Sequence, residues 1–224
     1  YASTPDELET IRRLESLGLS VMSVTEFAEE HPLGRAEWIR VFGLLFGRTG
    51  EAEELYRSIR TSYESLASRA AALSARPGVL VNDSFNGVWY VPGGMSWPAI
   101  LIRDAGGDYL LDTTDRTWSA PVDFETIAAI AAKADFWLNP GVWKTLDDGV
   151  LQDPRYRSFR PFREGNVYNN NARTTPAEGS DFHESGALRP DLILADLIAI
   201  LHPNLLPAHR LYYYRKLEWK SGAR

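Results

Sequence analysis

The sequence predicts an α/β fold with a mostly parallel sheet, and three observations predict it. Short apolar runs alternate with amphipathic stretches of about ten residues from residue 79 onward, which is the pattern of βαβ units. Residues 51–75 carry an unbroken helical period. Glycine, proline and asparagine gather between these segments, where turns are needed.

The elements follow in order. Thr4-Pro5-Asp6-Glu7 reads as a helix start, with Thr4 as cap and Pro5 in the first turn, so a helix is predicted over 5–17. Gly18 closes it, and the run 19–24 (Leu-Ser-Val-Met-Ser-Val) reads as a buried strand. Residues 34–46 form an amphipathic helix. After a break at 47–50, the long helix 51–75 places Leu55, Ile59, Tyr63, Leu66, Ala70 and Leu73 along one face. Arg76-Pro77-Gly78 ends it. Strands are then predicted at 79–81, 109–111, 135–138, 166–168 and 211–214. Helices are predicted at 96–104, capped by Ser96, and at 123–132, 146–151 and 190–201. No internal repeat interrupts the series.

Composition narrows the function. The chain has 224 residues, 44% hydrophobic and 24% charged, with a formal net charge of -6. These are ordinary globular values, and no basic stripe is present to follow a phosphate backbone, so no nucleic-acid partner is expected. Cysteine is absent, which removes disulfides, thiolate metal sites and cysteine nucleophiles. No apolar run reaches the ~20 residues of a spanning helix. The abrupt helix start leads us to expect further protein before Tyr1, with any export signal outside this sequence.

In open α/β sheets, ligands gather where loops leave the carboxyl ends of the strands. Three such loops, 82–97, 139–143 and 169–173, combine amides with aromatic rings, which suits a bulky organic ligand. They supply the candidate binding residues Trp89, Tyr90, Gly93, Ser96, Trp97, Asn139, Trp143, Asn171 and Arg173. Arg173 is the cation best suited to an anionic ligand, because a guanidinium pairs bidentately with oxyanions. Trp38 and Trp137 lie inside regular elements and read as core. His31, His183, His202 and His209 are scattered without metal-ligand spacing, so neither a directly bound metal nor a cofactor is expected. Gly94-Met95-Ser96-Trp97-Pro98 lacks the final glycine of a nucleophile elbow, and Leu110-Leu111-Asp112-Thr113-Thr114 has no second copy to complete an aspartic-protease pair.

The order of several motifs resembles the substrate-binding proteins of ABC importers for iron-siderophore complexes, haem and cobalamin. They are His31-Pro32-Leu33-Gly34-Arg35, the long helix, Trp89-Tyr90-Val91-Pro92-Gly93-Gly94-Met95-Ser96, Asp104-Ala105-Gly106-Gly107-Asp108-Tyr109, Ala134-Asp135-Phe136-Trp137-Leu138 and Gly165-Asn166-Val167-Tyr168. The resemblance implies that residues 1–32 end an amino-terminal α/β lobe and that 33–76 include a long inter-lobe helix. Residues 77–224 would then form a Rossmann-like carboxy-terminal lobe. It further implies a monomer in the periplasm or anchored as a lipoprotein, and a metal chelate or tetrapyrrole held between lobes. ABC permease subunits would be the partner, with Glu184 as the docking acid of this lobe. The chain differs from cobalamin binders in carrying Ser185-Gly186 after that acid. Two other classes stay open: an α/β enzyme of hydrolase type with an unidentified nucleophile, and a protein-interaction module using exposed aromatics.

Overall fold

The computed structural model describes residues 4–111, 115–176 and 179–220. Helix α1 (Pro5–Ser16) is capped by Thr4 as expected, and the cap is a capping box: Glu7 N donates to Thr4 Oγ1 at 3.2 Å, and Thr4 N donates to Glu7 Oε2 at 3.1 Å. The strand predicted at 19–24 does not form. No described strand lies beside this segment to satisfy its amides, and Leu19, Val21, Met22 and Val24 are exposed. A short 3₁₀ turn (Glu26–Ala28) leads into α2 (Pro32–Leu45), whose first amides are met by His31 Nδ1, accepting from Leu33 N at 3.1 Å.

The long helix α3 (Thr49–Ala71) spans 23 residues, about 35 Å at ~1.5 Å per residue. Its buried stripe is Ala52, Tyr56, Ile59, Tyr63 and Ala70, whereas Leu55 faces solvent. The inner face is therefore centred one residue later near its start than leucine spacing predicted. Gly43 allows the close approach of α2 and α3, since a β-carbon there would lie 2.3 Å from Ala52 Cβ.

The rest of the chain builds two sheets. Strand β1 (Gly78–Val81) is followed by β2 (Ser84–Phe85) and β3 (Val88–Val91), then α4 (Trp97–Asp104), β4 (Asp108–Tyr109) and β5 (Ala120–Val122). Helix α5 (Phe124–Ala131) starts at Asp123, whose Oδ1 accepts from Thr126 N at 2.8 Å. Then come β6 (Phe136–Leu138), α6 (Leu146–Gln152), a 3₁₀ turn (Pro154–Ser158), α7 (Arg160–Arg163), β7 (Val167–Asn169), α8 (Ser185–Leu188), α9 (Pro190–Leu201) and β8 (Arg215–Lys216). The main sheet runs β4-β1-β6-β7-β8, parallel except for the antiparallel edge strand β8. The α/β class and mostly parallel sheet thus hold, and α9 lies between α3 and the sheet's apolar core.

Two departures bear on the site. Residues 82–91, read above as loop, fold into the hairpin β2–β3, which β5 extends to a small antiparallel sheet. Its turn is Asn86-Gly87, both with positive φ (50° and 78°), the geometry a tight hairpin requires. The strand predicted at 211–214 moves to 215–216, because buried Asp196 captures the amides of Tyr212, Tyr213 and Tyr214 at 2.7–3.0 Å and withholds them from a ladder. Helix α3 stops at Ala71, short of the predicted 75, and β4 ends at Tyr109 rather than 111.

Candidate ligand-binding cleft

Three parallel strands end side by side, and asparagine follows or closes each. Asn82 after β1 and Asn139 after β6 take left-handed backbone angles (φ 63° and 58°), which asparagine tolerates better than most residues. The chain therefore turns sharply off the sheet. Asn82 also anchors the hairpin: its Nδ2 donates to Tyr90 O at 2.9 Å, and its carbonyl accepts from Trp137 Nε1 at 2.6 Å.

Above these turns lies a concavity of about 390 Å³. Phe85, Tyr90, Trp97 and Phe182 give it aromatic walls, and Leu101 and Leu138 are among its apolar lining. Its polar groups include Asp83, Asn139, Asn170 and His183. Burial raises the Asp83 carboxyl above its ordinary pKa, opposed by a hydrogen bond from Gln152 Nε2 to Oδ2 at 3.0 Å. Gly141 leaves room for that carboxyl, since a β-carbon there would meet Asp83 Oδ1 at 2.7 Å. His183 keeps an exposed face, yet desolvation, and after it the Arg35 charge, lower its pKa and favour neutral imidazole. Asn139 Oδ1 is buried without a hydrogen bond of standard geometry. The Tyr214 phenol, raised in pKa by burial and partly held down by the Asn139 side chain, faces it.

The structure divides the sequence-predicted residues. Tyr90, Trp97 and Asn139 meet at the concavity. Trp89 and Trp143 do not; both are fully buried in the aromatic core around Trp137, with ring centroids 5.6 and 5.0 Å from it. Their indole N–H groups are satisfied internally, Trp89 Nε1 by Val81 O at 2.9 Å and Trp143 Nε1 by Gln152 Oε1 at 2.7 Å. Gly93 and Ser96 shape the turn before α4 rather than the cavity surface. A β-carbon on Gly93 would lie 2.2 Å from Arg116 O, and Ser96 Oγ donates to Gly93 O at 2.6 Å. Asn171 is spent on the framework, donating to Trp143 O and accepting from Arg215 Nε. Arg173 lies off the cavity, paired with Asp181 at 3.0 Å and stacked over Tyr212 at 4.4 Å. Glu184 is exposed at the start of α8.

Asp83, Phe85, Asn170, Phe182 and His183 also line the cavity without having been singled out as binding residues. The Asn86-Gly87 hairpin signal was the means to find Phe85, because it fixes which side chains of 84–91 share a face. Asp112, Thr113 and Thr114 of the protease-like run lie outside the described residues. Among the described residues, no group of three or more His, Cys, Asp or Glu is placed to hold a metal, and no helix is long and apolar enough to cross a membrane.

Comparison with known proteins agrees with this architecture. Residues 6–174 match the family described as periplasmic binding protein. An uncharacterized lipoprotein of Methanocaldococcus jannaschii is 27% identical over 209 residues, covering 92% of this chain and 48% of the relative. A second lipoprotein of that organism is 23% identical, with 92% and 52% covered. The chain thus spans about half the length of these curated relatives. Among solved structures, the periplasmic heme-binding protein RhuT of Roseiflexus superposes with a TM-score of 0.68 at 18% identity, covering 91% of this chain and 73% of that one. A possible iron-binding periplasmic solute-binding protein of Staphylococcus epidermidis gives 0.67 at 14% identity, with 88% and 71% covered. At these identities the likeness establishes the fold.

Proposed function

The chain belongs to the periplasmic binding protein family, and from that premise we propose that it captures a metal chelate or tetrapyrrole outside the cytoplasm for delivery to an ABC importer. The observation that carries the reading is the aromatic-walled concavity at the carboxyl ends of β1, β6 and β7, where this fold class places ligands. Tyr90 and Trp97 are the stacking residues, and Asn139 and Asn170 the hydrogen-bonding ones. Glu184, exposed immediately before the short helix α8, is the docking acid toward the permease. The lipoprotein relatives and the periplasmic neighbours support an extracytoplasmic location. In this reading the ligand is held and released unchanged, so no residue is assigned a catalytic step.

Rigidity suits the task. Tyr63 Oη donates to Asp104 Oδ2 at 2.5 Å and ties α3 to α4, so the long helix buttresses the element that carries Trp97. A preorganised wall spends less binding energy on ordering. Isothermal titration with a ferric siderophore, haem and cobalamin tests the proposal. Saturable binding of one of the three is expected, and no heat with any of them would overturn it.

A further inference from the structure

We propose that this cleft wall selects a neutral or cationic metal chelate and rejects an anionic one. The inference rests on the binding-protein reading above and names the charge class of its ligand. Its basis is what lines the concavity. Among the described residues there, none is lysine or arginine, and the one carboxyl group is that of Asp83.

The guanidinium groups nearby in the fold do not line the concavity. Arg35 stacks on Trp97 at 4.7 Å and faces Glu26 at 3.6 Å, without itself lining the cavity. Arg173 is held by Asp181 and the Tyr212 ring. Arg155, in the neighbouring hollow behind the hairpin, is paired with Asp153 at 2.6 Å. An anionic guest would thus meet a carboxyl group and neutral amides, with no lysine or arginine among the lining residues to replace its lost hydration and with Arg35 set against the Trp97 ring. Asp83 is hydrogen-bonded to the Gln152 amide, which leaves its charge uncompensated by that partner. Ionised, it attracts a cationic chelate through a medium of lowered dielectric; protonated, it donates to a neutral one. His183 adds a neutral imidazole rather than a cation.

The test titrates the chain with three probes of one metal: a cationic ferric tris-hydroxamate, a neutral ferric tris-hydroxamate and a multiply anionic ferric tris-catecholate. The cationic or neutral chelate should bind at least about tenfold more tightly than the anionic one, the scale of one charge contact at intermediate dielectric. Asp83→Asn, nearly isosteric and checked for folding by circular dichroism, should close most of the gap between cationic and anionic probes. Arg173→Gln should leave the order unchanged. Tightest binding of the anionic chelate by the parent chain, or an unchanged gap in Asp83→Asn, overturns the charge selection while leaving the binding function standing. Silence toward all three, together with silence toward haem and cobalamin, overturns both.

Discussion

Trp89 and Tyr90 are neighbours in one strand and belong to different regions of the molecule. Trp89 is 1% exposed and stacked on Trp137 in the aromatic core, whereas Tyr90 is 46% exposed at the concavity. A β-strand sends successive side chains to opposite faces, so β3 builds core with one residue and cavity wall with the next. Ring chemistry alone does not tell which is which; the register of the hairpin does.

The largest expected effect breaks the core side. Trp89→Ala should lower unfolding free energy by ~3–5 kcal/mol, read by urea denaturation, because it empties a packed aromatic site and strands Val81 O. Next comes Asp196→Ala, at a fully buried position of α9. Asp196 holds three successive backbone amides and His209 Nε2, the last at 2.6 Å, and its loss orphans buried donors at a cost of about 3 kcal/mol. Hydrogen exchange should then accelerate at Tyr212, Tyr213 and Tyr214 before the rest of the sheet.

Two smaller effects sharpen the cleft side. Trp97→Ala should weaken chelate binding about tenfold, ~1.4 kcal/mol, by calorimetric titration. Asp83→Asn should raise the melting temperature at neutral pH. The folded-state pKa of Asp83 is raised, so the folded form binds its proton more readily than the unfolded chain does. Its contribution is intact below the ordinary carboxyl value near 3.8 and is lost as pH rises through the folded value. The stabilisation by Asn should therefore fade as the pH of the melt is lowered toward that ordinary value.

The same comparison explains what could be read from the sequence. Parallel strands at 79–81, 135–138 and 166–168 and the helices at 5–17, 34–46, 123–132 and 190–201 were legible within a few residues, because apolar period and caps are local signals. The strand at 19–24 failed because apolar alternation does not supply a pairing partner, and 211–214 failed because a distant carboxylate took its amides. Of the residues proposed from the sequence, Tyr90, Trp97 and Asn139 line the concavity, as their place near strand ends suggests. Trp89, Trp143 and Arg173 were misassigned because burial and ion pairing depend on contacts far along the chain, such as Trp137 and Asp181. Phe182 and His183 reach the cleft from beyond β7, which no local pattern shows.

The most direct test of the account replaces Tyr90 alone. Calorimetric titration of Tyr90→Ala with the tightest-binding chelate, beside the parent chain, should show affinity reduced at least about tenfold with an unfolding midpoint close to that of the parent. Equal affinity in the two proteins would mean that this aromatic wall is not where the ligand sits.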